Sequence, residues 1–346
     1  MKRLILLAAI VTAACGSPAA LKPTPSSQPA SASPSPIASA SSTTIPLGRS
    51  QTAMAYDQTH HNAVLFGGLG DQTRLGDTWT WNGTDWTHRQ GLTANPDARQ
   101  GAAMAYDEVN RQVVLFGGVT ATGQQNDTWA WGGTAWQLLH PLHAPPPREG
   151  ASMTYDAALS AVILYGGMND STAMPSPLHD TWSWTGGDWA PLTASGPPGG
   201  VRPRLAYLSG ANLVERFGDC IESHDRNLYG FDGHQWSPRP AAGIWPPALC
   251  IPSLAGDSVR HQLVLFGGNL GTGVSPPPAD TWAYAGNGWS RLSPNQSPPA
   301  RYDAPMVYDT DHHVMVLFGG QGLTQGQTGP LNDTWIWDGS NWAPRQ

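Results

Sequence analysis

Val64-Leu65-Phe66-Gly67-Gly68 returns as Val114-Leu115-Phe116-Gly117-Gly118, Ile163-Leu164-Tyr165-Gly166-Gly167, Val264-Leu265-Phe266-Gly267-Gly268 and Val316-Leu317-Phe318-Gly319-Gly320. A degraded copy, Val214-Glu215-Arg216-Phe217-Gly218-Asp219, fills the gap between the third and fourth of these. Counted from the aromatic residue before the glycines, the steps are 50, 49, 52, 49 and 52 residues. Self-similarity at that period predicts stacked units, none of which buries its apolar face alone.

Each unit carries a second signature downstream. Asp77-Thr78-Trp79-Thr80-Trp81 is followed by Trp86, and the same frame gives Asp127/Trp129/Trp131/Trp136, Asp180/Trp182/Trp184/Trp189, Asp280/Trp282/Tyr284/Trp289 and Asp333/Trp335/Trp337/Trp342. The fourth copy reads Asn227/Tyr229/Phe231/Trp236. All but one of the sixteen tryptophans fall in this frame, so the tryptophan content belongs to the architecture. Aromatics two apart share one face of a strand, and a third beyond a Gly-containing turn such as Asn82-Gly83 predicts a hairpin partner. A buried Trp covers ~150–250 Å², which at ~25 cal/mol per Å² contributes several kcal/mol of packing.

Upstream of the glycines, Ala53-Met54-Ala55-Tyr56-Asp57 recurs as Ala103-Met104-Ala105-Tyr106-Asp107, Ser152-Met153-Thr154-Tyr155-Asp156 and Pro305-Met306-Val307-Tyr308-Asp309. Small residues alternating with Met and Tyr suit a strand crowded near an axis. The unit is thus four short strands, and six such sheets arranged radially make an all-β propeller. The Gly pair is expected where φ turns positive or a neighbouring backbone passes closely.

These residues resemble the kelch repeat, in which an Arg ahead of the first strand precedes the aliphatic-Gly-Gly run, the Asp-x-aromatic-x-aromatic segment and a spaced Trp. The Arg is present as Arg49, Arg99, Arg148 and Arg301, each seven residues before the Tyr of its unit. The resemblance implies a six-bladed kelch-type β-propeller over residues 46–346, with four antiparallel strands per blade. Departures cluster in two copies. The fourth has Gly218-Asp219 for Gly-Gly and Leu208 for the usual Asp, with Arg202 and Arg204 out of frame; the fifth has Leu249 at the Arg position and Gly256 at the Tyr position.

Residues 1–15 form a short basic and apolar leader ending Ala13-Ala14-Cys15-Gly16, which resembles a bacterial lipoprotein cleavage box with Cys15 as the lipid-bearing residue. Residues 16–45 run almost entirely to Ser, Pro, Ala and Thr, a composition expected to form a flexible tether. The expectation is an exported head anchored by lipid at the outer side of the cytoplasmic membrane or in the outer membrane. Net charge is −7 and the only lysines are Lys2 and Lys22, so no basic stripe exists to neutralise a nucleic acid. Cys220 and Cys250 fall on the same face of neighbouring blades of such a propeller, and an exported compartment permits a disulfide between them.

Candidate function lies at the channel mouth shared by the loops after the Gly-Gly strands and the loops before the first strands. By position in the kelch frame, Arg49, Arg99, Arg148 and Arg301 ring it, with Glu149, Tyr302 and the unframed Trp245 completing a polar-aromatic site. Convergent guanidinium groups favour a carboxylate, sulfate or acidic side chain. The competing reading is that a once-per-blade Arg bonds backbone carbonyls and fixes blade register. His60-His61 and His312-His313 occupy turns at the opposite mouth, where polar turn residues are the simpler account than a shared metal. No metal spacing and no cofactor motif is found, and galactose oxidase and sialidase patterns do not fit. The expected function is a binding scaffold for a glycan or a protein partner. The alternative is a sugar-processing enzyme similar to the kelch-type sialic acid mutarotase, with Arg148-Glu149 as its acid/base analogue.

Overall fold

The Ala-Met-Ala-Tyr alternation solves a wedge problem. The computed structural model of the protein describes residues 45–169, 176–192, 196–197, 200–218, 228–239, 243–270, 277–324 and 327–345. In it Ala53 and Ala55 of one inner strand pack against Met104 and Tyr106 of the next. Ala103 and Ala105 in turn pack against Met153 and Tyr155. Small side chains on one flank receive large ones from the following blade, so inner strands can crowd around an axis at native packing density.

Among the described residues six four-stranded antiparallel sheets result, each with its strands in chain order. The first comprises Ala53–Asp57, Asn62–Leu69, Arg74–Trp81 and Trp86–His88. The others run from Ala103–Asp107 to Trp136–Leu139, Ser152–Asp156 to Trp189–Leu192, Arg204–Leu208 to Trp236–Pro238, Ser253–Asp257 to Trp289–Leu292, and Met306–Asp309 to Trp342–Arg345. The described residues contain no helix. Each inner strand touches the next, and Met306–Asp309 touches Ala53–Asp57, closing the ring. The fold is therefore a six-bladed kelch-type β-propeller. Closure needs no exchanged strand: Arg49 N–H donates to Leu331 O (3.0 Å), Gly320 N–H donates to Arg49 O (2.9 Å), and the Trp86 indole donates to Thr334 Oγ1 (2.9 Å).

Two repeated seams join the blades. In the first, the second glycine of each Gly pair donates to the carbonyl at the Arg position of the next blade: Gly68 to Arg99 (2.8 Å), Gly118 to Arg148 (2.9 Å), Gly268 to Arg301 (2.9 Å). Gly67 sits at φ +64°, and a Cβ there would lie 2.6 Å from the Arg99 carbonyl oxygen. Both reasons given by the sequence for a glycine hold at once. In the second seam, each outer-strand Trp packs on the aromatic ahead of the preceding blade's glycines, as in Phe66–Trp136 (5.4 Å between centroids), Phe116–Trp189 (5.2 Å) and Phe217–Trp289 (5.3 Å). Its indole N–H donates to the Thr of the preceding blade's Asp-Thr-Trp segment: Trp136 to Thr78, Trp189 to Thr128, Trp236 to Thr181 and Trp342 to Thr281, each 2.9 Å. Trp289 breaks the rule. Its preceding blade carries Leu228 at the Thr position, and the buried Trp289 N–H has no acceptor among the described residues.

The fourth blade is irregular in its core as well. Glu215 and Arg216, both fully buried, occupy strand positions that hold aliphatic residues elsewhere. Arg239 reaches Glu215 at 3.1 Å by crossing Gly230, where a Cβ would lie 2.8 Å from the Arg239 stem. The Arg216 guanidinium lies 5.8 Å from the centre of the Tyr229 ring.

Candidate functional site

The four framed arginines do not line the mouth; this corrects the expectation of a guanidinium ring facing a ligand. Arg49 is fully buried and forms a two-pronged pair with Asp77 (2.7 and 2.8 Å), while its remaining contacts are Gly67 O (3.0 Å) and Leu47 O (3.0 Å). Arg99 with Asp127, Arg148 with Asp180 and Arg301 with Asp333 repeat the geometry, all between 2.6 and 2.9 Å. Four of the five N–H bonds are thereby used inside the blade, in the fork geometry that suits Arg better than Lys. The same carboxylate accepts the indole N–H two residues on, as Trp79 to Asp77 (2.7 Å). Burial alone would raise the pKa of Asp77, Asp180 and Asp333, but the Arg and the indole hold all three below the ordinary value.

The departures follow the same logic. The fourth blade has Gly200 at the Arg position and Asn227 at the Asp position, so both partners are lost together. The fifth keeps Asp280 but has Leu249 for Arg, and Arg291 from its outer strand supplies the charge (2.6 Å to Asp280) while remaining 58% exposed.

Of the other candidates, Glu149 reaches the mouth, its carboxylate lying 3.5 Å from where a Cβ on Gly101 would stand. Trp245 packs against the core between the fourth and fifth blades. Glu149 and Tyr302 are half-buried and pair through the backbone with Met168 and Gln321. Cys250 is buried; Cys220, like Cys15 and residues 1–44 as a whole, lies outside the described residues. His60 and His312 are held by the Asp three residues before them (2.8 Å each). They cover a glycine of the following blade's outer hairpin, Gly133 and Gly83 respectively. Among the described residues no cluster of three or more metal-ligating side chains occurs, and no helix is long and apolar enough to cross a membrane.

What lines the mouth is the residue two beyond the Arg position. There the backbone is left-handed in every blade: Gln51 (φ 52°), Gly101 (66°), Gly150 (67°), Arg202 (52°), Ile251 (44°) and Asp303 (57°). The chain bends at this point so that Gly101 N–H donates to Gln51 O (2.8 Å), Gly150 N–H to Gly101 O (2.8 Å) and Asp303 N–H to Ile251 O (2.9 Å). Non-Gly residues pay a steric cost in this conformation, and three of them carry polar side chains into a cup of about 120 Å³ at the channel end. Arg202 donates to Asp303 Oδ2 (3.2 Å) and Gln51 Oε1 (2.8 Å), and Arg204 donates to Asp303 Oδ1 (2.9 Å) and Pro252 O (2.9 Å). The Arg202 stem crosses Gly150, where a Cβ would lie 2.7 Å away. Two guanidinium groups, 21% and 24% exposed, thus share one carboxylate that is 7% exposed. Partly exposed guanidinium groups at a concave mouth offer the donor chemistry that binds an anion, and the Glu149 carboxylate stands beside them at Gly101. Arg202 and Arg204 stood out in the sequence only as arginines outside the frame, in the blade that lacks the structural pair.

No family profile and no curated protein matches the sequence. Solved structures do match in three dimensions. One of them, titled "Structure of YjhT", superposes with a TM-score of 0.64 over 88% of this chain and 99% of that one, at 13% identity. With the six sheets described above, this likeness places the chain among proteins of the kelch-type propeller fold.

Proposed function

We propose that the protein is a binding scaffold whose arginine-bearing mouth takes the carboxylate of a small acidic ligand, an acidic sugar being the favoured class. The observation that supports this is the Arg202–Asp303–Arg204 arrangement, in which two partly exposed guanidinium groups have one carboxylate between them. A cup of about 120 Å³ is smaller than the ~300 Å³ of ordinary small-molecule pockets. It suits a charged head group whose body rests on the surrounding loops. Both oxygens of Asp303 accept arginine N–H groups, which fits a carboxylate that positions the guanidinium groups for binding rather than one that moves a proton. The leader and the Ser/Pro/Ala-rich segment give this head an exported, lipid-anchored setting in the same proposal.

Calorimetric titration with sialic acid, glucuronate and the uncharged methyl ester of each tests the reading. The acids are expected to bind and the esters to bind at least tenfold more weakly, with the double variant Arg202→Ala/Arg204→Ala losing the preference. Equal binding of acid and ester, or an unchanged double variant, would sink it. Following anomeric exchange by NMR in the same samples separates a scaffold from a mutarotase.

A further inference from the structure

The channel has a second mouth with the opposite character. A waist of Met54, Met104, Met153, Leu205, Leu254 and Met306 forms the base of both cups, which therefore sit back to back. The second cup is the larger, about 510 Å³, within the range of pockets that bury a small organic molecule. Tyr56, Tyr106, Tyr155, Tyr207 and Tyr308 line it, one from every blade except the fifth. There Gly256 is required, because a Cβ would lie 2.2 Å from the Tyr207 carbonyl oxygen. Neighbouring turns hold several of the hydroxyls: Tyr56 donates to Asp311 (2.5 Å), Tyr106 bonds Thr59 Oγ1 (2.7 Å) and Tyr207 donates to Asn212 (3.3 Å). The rings are thus fixed, and these hydroxyls are already engaged.

The charge around the ring is acidic. Asp57, Asp107, Asp156, Asp257 and Asp309 end five inner strands and are buried. Glu108 is exposed on the cup wall with one oxygen accepting from Gln58 (3.1 Å), and Asp311 lies beside His61 at the rim. Against these stand Arg111, near Tyr106, and Arg260, which is already paired with Asp257 (2.9 Å). The tyrosines register the field. Burial first, and then the nearby carboxylates, raise Tyr106, Tyr155 and Tyr207, and push Tyr308 up to about 12.

We infer that this mouth is a second binding site, for a small organic cation whose ammonium group lies toward Glu108 and whose apolar body rests on the tyrosine rings and methionine floor. An anion would face the carboxylates, whereas a cation gains from both the carboxylate field and the negative faces of the rings. A neutral apolar molecule would gain from the floor alone. The inference stands on the second cavity and does not depend on the anion reading of the first.

Calorimetric titration with choline, and with its uncharged isostere 3,3-dimethyl-1-butanol, tests it on the intact chain. Choline is expected to bind at one site per chain, with the isostere weaker by roughly tenfold or more. Glu108→Gln, an exposed substitution, is expected to weaken choline by several-fold. Tyr155→Leu, at a half-buried ring, should do the same, while Arg202→Ala/Arg204→Ala leaves it unchanged. Equal affinity for the isostere, absence of choline binding at millimolar concentration, or full affinity in the Glu108→Gln and Tyr155→Leu variants would each overturn the proposal.

Discussion

Replacing Arg99 by Ala tests whether the framed arginines belong to the scaffold. The change removes two bonds to Asp127 (2.6 and 2.9 Å) and those to Gly117 O (2.9 Å) and Asp97 O (3.0 Å). The Asp127 carboxylate is left with the Trp129 indole (2.7 Å) as its remaining side-chain donor. Breaking a buried pair from one side costs about 3–5 kcal/mol, since the stranded charge keeps its desolvation penalty. The fifth blade supplies an internal control. Arg291 meets Asp280 at 2.6 Å, as short as the framed pairs, but is 58% exposed. Solvent screening reduces such a pair to about 0–1 kcal/mol. Urea unfolding followed by tryptophan fluorescence should therefore show a large midpoint shift for Arg99→Ala and a small one for Arg291→Ala, with the denaturant slope unchanged in both. Equal losses, or a loss below about 1 kcal/mol for Arg99→Ala, would refute the argument and return the arginines to the list of ligand contacts.

The other seam yields a gain as well as a loss. Leu228→Thr should give the orphaned Trp289 indole its acceptor and stabilise by about 1 kcal/mol, whereas Thr128→Val, which strands Trp189, should cost about 1–3 kcal/mol; thermal melts of the two variants should move in opposite directions. Burial raises Glu215 from 4.5 to about 7 despite Arg239 at 3.1 Å. A carboxyl that keeps its proton longer in the fold than in the unfolded chain contributes stability that is complete below the unfolded pKa and is lost as pH rises through the folded one. Between pH 5 and 8 the stability of wild type relative to Glu215→Gln should therefore fall, by about 3 kcal/mol at most, and parallel pH profiles would exclude the effect. Asp77, Asp180 and Asp333 carry the opposite sign, their stabilisation being present above the ordinary 3.8 and lost as pH falls below it. Acid unfolding should accordingly steepen below that value, and removal of Arg49, Arg148 or Arg301 should flatten it. Gly117→Ala would bring a Cβ within 2.8 Å of the Arg148 carbonyl oxygen at φ +68°, so poor expression or a melting point lowered by several degrees is the expected result.

The blade count, the four-strand unit and the role of nearly every tryptophan were determined by the sequence, because each rests on a local period repeated six times. Even the coupled loss of the structural pair in the fourth blade can be read there, in Gly200 and Asn227. Which arginines reach the channel mouth was decided only by tertiary structure. Arg49 and Asp77 are 28 residues apart, and nothing local states that a guanidinium will turn inward to meet a carboxylate two strands away rather than outward to a channel. The mouth itself is set by a left-handed backbone position that accepts Gln, Gly, Arg, Ile or Asp in different blades. A site assembled from non-equivalent residues at one geometric station leaves no repeating letter in the chain. It emerges only when six blades bring those stations around a single axis.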